Sequence, residues 1–178
     1  MNSSKKLVKQ LLISTALSLS LPMLSVTHAA ENAAMNKATY VVKNLNIGDL
    51  PVKTIVPITA KTKEQAIAQA KVIAANKDAD IAEFRIDLLE FASDTKQVIA
   101  LGQELNQILK DKPLLATIRT SNEGGKLNVT DEQYAKIYSD YLKKPFMQLL
   151  DIEMFRDQAA VEKLTSLAHK KNVLVVMS

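Results

Sequence analysis

The sequence predicts an α/β protein made of successive βαβ units, and within that class a (β/α)8 TIM barrel of which about five units are present, preceded by an N-terminal β-hairpin. Three observations point there. Strand-like runs begin near residues 54, 80, 113, 146 and 172, separated by helix-like segments, and a repeat of about 30 residues of this kind builds a parallel sheet. Charged residues gather near the ends of those runs: Glu83, Arg85 and Asp87, then Arg119, then Asp151 and Glu153. An open doubly wound sheet buries both faces of its central strands, which then read as near-continuous apolar runs, whereas a barrel carries its charged groups at the C-terminal mouth. Finally, 178 residues at 47% hydrophobic and 24% charged are enough for one domain with a sizeable core, which excludes disordered and collagen-like chains.

Residues 1–30 stand apart from the rest. Lys5, Lys6 and Lys9 precede the apolar run Leu11 to Leu21, and Val26-Thr27-His28-Ala29-Ala30 supplies a small-residue end, the pattern of a secretory signal peptide cleaved near Ala29 or Ala30. A membrane anchor is the competing reading, but Ser14, Thr15, Ser18, Ser20 and Pro22 interrupt a run already short for a span. The expected protein is therefore exported, periplasmic, and without a stable membrane span after cleavage. The leader takes three lysines and no carboxylate with it, so the formal charge falls from +4 to +1, and the basic balance is not a nucleic-acid footprint. The absence of cysteine rules out disulfides, thiolate nucleophiles and cysteine-ligated metals. Of the two histidines, His28 leaves with the leader and His169 falls near the end of a helix, so neither is in a catalytic place.

Residues 31–39 are small and polar and read as a linker, and 40–178 as the N-terminal portion of the barrel domain. Tyr40 to Asp49 forms a short hairpin, followed by a first barrel strand over Thr54 to Ile58. Thr62-Lys63-Glu64-Gln65 is a capping box that opens a helix with the stripe Ile67, Ala70, Ile73 and Ala74. The second strand, about 80–87, alternates Ala82, Phe84 and Ile86 with Glu83, Arg85 and Asp87, so one face is charged and the other apolar. Taken alone, that alternation equally describes an antiparallel edge strand facing water.

Asp94 caps a second helix carrying Val98, Leu101, Leu105 and Ile108, and Pro113 to Arg119 forms the third strand. Thr130-Asp131-Glu132-Gln133 is another capping box, ahead of Tyr134, Ile137, Tyr138, Tyr141 and Leu142 on one helix face. The tyrosines suit either a ligand box or, more in keeping with the spacing, a packing stripe. Phe146 to Asp151 is the fourth strand, Asp157 to His169 the fourth helix, and Asn172 to Ser178 the fifth strand. A full barrel needs eight strands and about 250 residues. The expectation is a chain truncated after its fifth strand, since ending on Val173 to Met177 would leave an apolar edge unpaired.

Six charged residues are thus expected on one rim: Glu83, Arg85, Asp87, Arg119, Asp151 and Glu153. Guanidinium groups suit a carboxylate substrate because they match it bidentately. An internal ion-pair network holding the mouth together is the other reading, strongest for Asp87, Asp151 and Glu153. Glu123-Gly124-Gly125 follows the third strand, where glycines permit tight backbone turns.

Together these residues resemble the type I 3-dehydroquinate dehydratases, Schiff-base-forming (β/α)8 enzymes. The resemblance runs from about Tyr40 to Ser178. The hairpin Val42 to Gly48 is similar to the family's N-terminal hairpin, and Val56-Pro57-Ile58 and Thr62 follow in order. The family's Glu-Trp-Arg strand is present as Glu83-Phe84-Arg85, with phenylalanine for tryptophan. Its Arg-Thr, Glu-Gly-Gly and Asp-x-Glu motifs are present as Arg119-Thr120, Glu123-Gly124-Gly125 and Asp151-Ile152-Glu153.

The resemblance implies conversion of 3-dehydroquinate to 3-dehydroshikimate and water through a lysine Schiff base on strand six, with a histidine on strand five shuttling protons. It implies no cofactor, a small-molecule substrate, and a homodimer when the chain is full length. Glu83, Arg85 and Arg119 would contact the substrate's hydroxyls and carboxylate, and Glu123 would help position the proton-transfer group. The family histidine follows Met-Ser-x, so Met177-Ser178 would place it two positions further on, with the lysine later still. The 178 residues are expected to hold substrate and, alone, to be inactive. The competing expectation is a non-catalytic shortened relative that binds an anionic metabolite or a partner through Arg85 and Arg119. Export would favour breakdown of quinate-like compounds over biosynthesis.

Overall fold

The computed structural model describes residues 39–178, so the expected signal peptide and all but the last residue of the expected linker lie outside the described residues. A two-stranded antiparallel hairpin, β1 (Tyr40–Val42) and β2 (Leu45–Ile47), comes first. Five parallel strands follow: β3 (Ile55–Ile58), β4 (Ile81–Arg85), β5 (Leu114–Thr117), β6 (Leu149–Ile152) and β7 (Leu174–Met177). Helices α1 (Lys63–Ala75), α2 (Thr95–Leu109), α3 (Asp131–Lys143) and α4 (Gln158–Lys170) connect them.

The order within the sheet is β3-β4-β5-β6-β7, so every strand pairs with its neighbour in sequence. A doubly wound sheet reverses its winding at a switch point, while a barrel winds one way throughout. The observed order is that of part of a barrel. β4 lies inside a parallel sheet, which settles the alternative of a half-exposed antiparallel edge.

The helices start where the sequence provides caps. Asp94 and Asp157 accept backbone N–H bonds at the starts of α2 and α4, and at α3 the Thr130 and Gln133 side chains bond reciprocally to form a full capping box. The box expected at Thr62 is only half formed. Thr62 accepts from the Gln65 N–H, but the Gln65 side chain accepts from Lys61 N–H at 3.0 Å, one residue earlier than a box requires.

Alternation along the strands gives the sheet two faces. Ala82, Phe84, Leu114, Ala116, Leu150 and Ile152 point outward into the main core against the helices. Phe84, on the apolar face that the alternation predicts, is fully buried there and meets Phe146 edge-on at 6.4 Å; its burial is worth about 1.5–3 kcal/mol. The tyrosines of α3 belong to the same core: Tyr134, Tyr138 and Tyr141 are at most 1% exposed, and their rings form an edge-on chain ending at Phe146. They are a packing stripe.

The inner face is layered. Val42 from the hairpin joins Ile81, Leu115 and Leu149 in a second apolar cluster, which closes the end from which the strands start. Lys43, at φ 52 in the hairpin turn, fixes that closure. Its Nζ donates to Asn106 Oδ1 at 2.9 Å and to the carbonyls of Lys110 and Lys112 beyond the end of α2. Above the floor, the strand register places Arg85 beside Thr117 and Asp151 beside Val176, so the inner face becomes polar toward the strand C-termini.

Candidate active site

The polar groups expected at the mouth come together, although the strands are shorter than the sequence suggests. β4 stops at Arg85 and the chain turns at once into a 3₁₀ turn, Ile86–Leu88. Asp87 therefore does not continue the charged face of β4. The turn carries it back, almost fully buried, where Oδ1 and Oδ2 accept from Arg85 Nε and Nη2, both at 2.9 Å. The same carboxylate accepts from the backbone N–H groups of Arg119 and Lys126 at 3.3 Å each. One carboxylate thus pins the arginine of β4 to the loop after β5. That hydrogen bond is the main reason the Arg85 guanidinium holds its proton still more tightly than an ordinary arginine.

β5 likewise ends at Thr117, two residues before Arg119. Arg119 Nη1 donates to Glu123 Oε2 at 2.9 Å and to Ser178 Oγ at 2.8 Å, while Nη2 donates to Asp151 Oδ1 at 2.9 Å. Burial opposes the Arg119 charge, but Asp151, Glu153 and Glu123 outweigh it, so its proton is held more tightly than usual. For Asp151 the balance goes the other way: burial raises its carboxyl above the ordinary carboxylate range despite the Arg119 pair and the hydrogen bond from Ser178. The arginine is partly open to water and the aspartate nearly closed off, so desolvation weighs more heavily on the aspartate.

The loop between β5 and α3 is shaped for this. Gly124 takes φ 82, and Gly125 comes so close to the Arg119 backbone that a Cβ there would lie 1.9 Å from the Arg119 carbonyl oxygen. Glu153, fully buried, closes the loop from below: it accepts from Thr120 N–H at 2.7 Å and from Thr120 Oγ at 2.8 Å. The ion-pair reading therefore holds for Asp87, Asp151 and Glu153, each spent on internal partners.

Several contributors were not singled out from the sequence. Arg156 lies 3.3 Å from Glu153 through Nε, donates to Asp131 Oδ1 at 2.7 Å, and stacks on the Tyr134 ring at 4.4 Å. Tyr138 Oη accepts from the Ile118 N–H and Tyr134 Oη from the Glu153 N–H, so two core tyrosines also hold the strand ends that carry Arg119 and Glu153. Arg156 sits three residues after Glu153, a spacing that could have drawn notice; the tyrosine hydroxyl contacts leave no signal in a periodic pattern.

Of the predicted ligand contacts, Glu83 is the one without an internal commitment: among the described residues it forms no hydrogen bond or ion pair, yet it lies close enough to Arg85 and Asp151 to act on both. Among the described residues Arg85 Nη1 has no partner after the bidentate pair with Asp87. Glu123 is bound to Arg119. His169 is exposed, on α4, away from this cluster. Among the described residues, no group of three or more Asp, Glu or His side chains is arranged to hold a metal ion, and no helix is long and apolar enough to cross a membrane.

Comparison with known proteins gives one family. The type I 3-dehydroquinase family model matches residues 54–178. The chain is 85% identical over 161 residues to the catabolic 3-dehydroquinate dehydratase of Acinetobacter baylyi, covering 90% of this chain and 59% of that protein. It is 37% identical over 137 residues to the 3-dehydroquinate dehydratase of Enterococcus faecalis, covering 77% of this chain and 54% of that protein. The crystal structure of the Clostridium difficile type I enzyme with covalently modified comenic acid superposes with a TM-score of 0.76 at 32% identity, over 79% of this chain and 55% of that one. The chain thus spans between half and three fifths of the length of these relatives.

Proposed function

Since the chain belongs to the type I 3-dehydroquinase family, we propose that it forms the substrate-holding part of a 3-dehydroquinate dehydratase, a hydro-lyase converting 3-dehydroquinate to 3-dehydroshikimate and water. The observation that carries this reading is the division of labour on the rim. Asp87, Asp151 and Glu153 are buried and consumed in fixing the scaffold, while Glu83 and one nitrogen of Arg85 are unspent on the inner face. Buried supports with free groups above them describe a preorganised binding site.

The residues divide the work by chemistry. Glu83 accepts hydrogen bonds from substrate hydroxyls. Arg85, anchored on one edge by Asp87, donates to the substrate with the other. Arg119, held by Asp151 and Glu123, fixes the substrate's position at the strand ends and offers charge to its carboxylate. Glu123 orients the group that moves the proton. Loss of water removes a proton from the carbon beside the ketone and the hydroxyl from the next carbon, and a lysine Schiff base at the ketone acidifies that proton. We assign the lysine and the proton-shuttling histidine to the part of the relatives that these 178 residues do not match, so alone they bind without turning over.

Export through residues 1–30 belongs to the same proposal, and with it a role in breakdown of quinate-like compounds; a protein found only in the cytosol would refute it. The activity test uses the protein expressed from its complete reading frame. 3-Dehydroquinate should give a rising enone absorbance, with Glu83→Gln and Arg85→Lys each lowering kcat/KM at least tenfold. Unchanged rates in both variants would remove the proposed binding roles.

A further inference from the structure

Thr117 ends β5 with its side chain on the inner face, two residues above Leu115 of the apolar floor and two below Arg119 of the rim. It pairs in register with Arg85, and the same row continues to Asp151: Leu115 pairs with Leu149, two residues before each. Adjacent strands lie about 4.8 Å apart, so Thr117 stands between two of the rim's charged side chains. It is 0% exposed, and among the described residues its Oγ1 has no hydrogen-bond partner. Buried hydroxyls are nearly always satisfied, and leaving one unpaired costs about 1–3 kcal/mol. Valine has nearly the same shape and would fill this place at no such cost. The buried carboxylates around it are by contrast used: Asp87 has four donors, and Glu153 two hydrogen bonds besides its ion pairs. The other unpartnered buried polar atoms among the described residues are Tyr141 Oη, in the main core behind the sheet, and Arg156 Nε, which faces the Glu153 carboxylate at 3.3 Å.

We propose that Thr117 is a substrate-contacting residue, its hydroxyl bonding to an oxygen of the polyhydroxylated ring that settles between Glu83, Arg85 and Arg119. This rests on the dehydratase reading. The hydroxyl is closed off in the ligand-free chain, and reaching it requires the Arg85 and Arg119 side chains beside it, 25% and 20% exposed, to exchange part of their internal ion pairs for contacts to the ligand. The unsatisfied hydroxyl is then stability given up in the empty site for a hydrogen bond made in the filled one.

The test is made on the protein from the complete reading frame, with 3-dehydroquinate as the probe. Thr117→Val should lower kcat/KM about tenfold, the value of one hydrogen bond, while its melting temperature is equal to or above wild type. Thr117→Ser, which keeps the hydroxyl, should stay within about threefold of wild type. A Thr117→Val protein that turns over normally overturns the proposal and leaves the dehydratase reading intact. One that fails to fold overturns it as well, because the hydroxyl would then have a structural partner. A wild-type protein without turnover removes both.

Discussion

Replacing Glu153 with glutamine removes one charge from the most enclosed part of the site and almost nothing else. The carboxylate accepts from the Thr120 N–H and hydroxyl at 2.7 and 2.8 Å, and lies 3.5 Å from Arg119 Nη1 and 3.3 Å from Arg156 Nε. A glutamine oxygen can keep the backbone bond, and its NH2 can donate to the Thr120 hydroxyl once that rotates, so the neutral hydrogen bonds largely survive. What is lost is the countercharge to two guanidiniums. Breaking a buried ion pair costs about 3–5 kcal/mol. Arg119 keeps Asp151 and Glu123, and Arg156 keeps Asp131, which places Glu153→Gln at the lower end, about 3 kcal/mol. At about 2–4 °C per kcal/mol for a domain of this size, the melting temperature should fall by about 6–12 °C. Thermal unfolding followed by circular dichroism measures this, with Glu104→Gln, which removes an exposed pair with Lys63, as a control that should leave the midpoint nearly unchanged. A Glu153→Gln midpoint indistinguishable from that control would show that Glu153 does not organise the loop.

Other variants separate packing from support. Tyr138→Phe leaves the buried Ile118 N–H without an acceptor and should cost about 1–3 kcal/mol in chemical denaturation, whereas Tyr141→Phe removes a hydroxyl that has no partner and should be neutral or stabilising. Gly125→Ala drives a Cβ into the Arg119 carbonyl and should raise KM for 3-dehydroquinate more than tenfold while α1 and α2 stay protected in hydrogen exchange; a wild-type KM would contradict the close approach. Because burial raises the Asp151 carboxyl, the folded protein holds that proton more tightly than the unfolded chain does, so this group's contribution to stability is full below about pH 4 and is lost as pH rises through the raised value. Wild type should therefore lose stability relative to Asp151→Asn as pH rises from about 3 to 7, and a constant difference would refute that assignment.

Much of this architecture was legible because it is periodic or locally signalled. The strand-helix repeat, the caps at Asp94 and Thr130, and the inward alternation of Glu83 and Arg85 follow from spacing and side-chain chemistry. The departures arise where a long-range bond overrides local pattern. The alternation through Asp87 reads as continued strand, but Asp87 gains two guanidinium bonds and two backbone donors by turning back. Gln65 meets the pattern of a capping box, yet its side chain bonds to Lys61 instead. Spacing marked the α3 tyrosines as core but could not show that two hydroxyls reach across to strand ends. Thr117 was invisible for a simpler reason: a threonine in an apolar strand reads as ordinary β propensity until its hydroxyl is found without a partner.

The measurement that bears most directly on the account is borohydride trapping in the presence of 3-dehydroquinate, read by intact mass. The protein from the complete reading frame should gain a stable covalent adduct on one lysine, and the 178-residue chain alone should gain none while still being protected from thermal unfolding by the compound. Dehydration without any trapped adduct, or an adduct on a lysine within these 178 residues, would contradict the division between a part that holds the substrate and a part that carries out the chemistry.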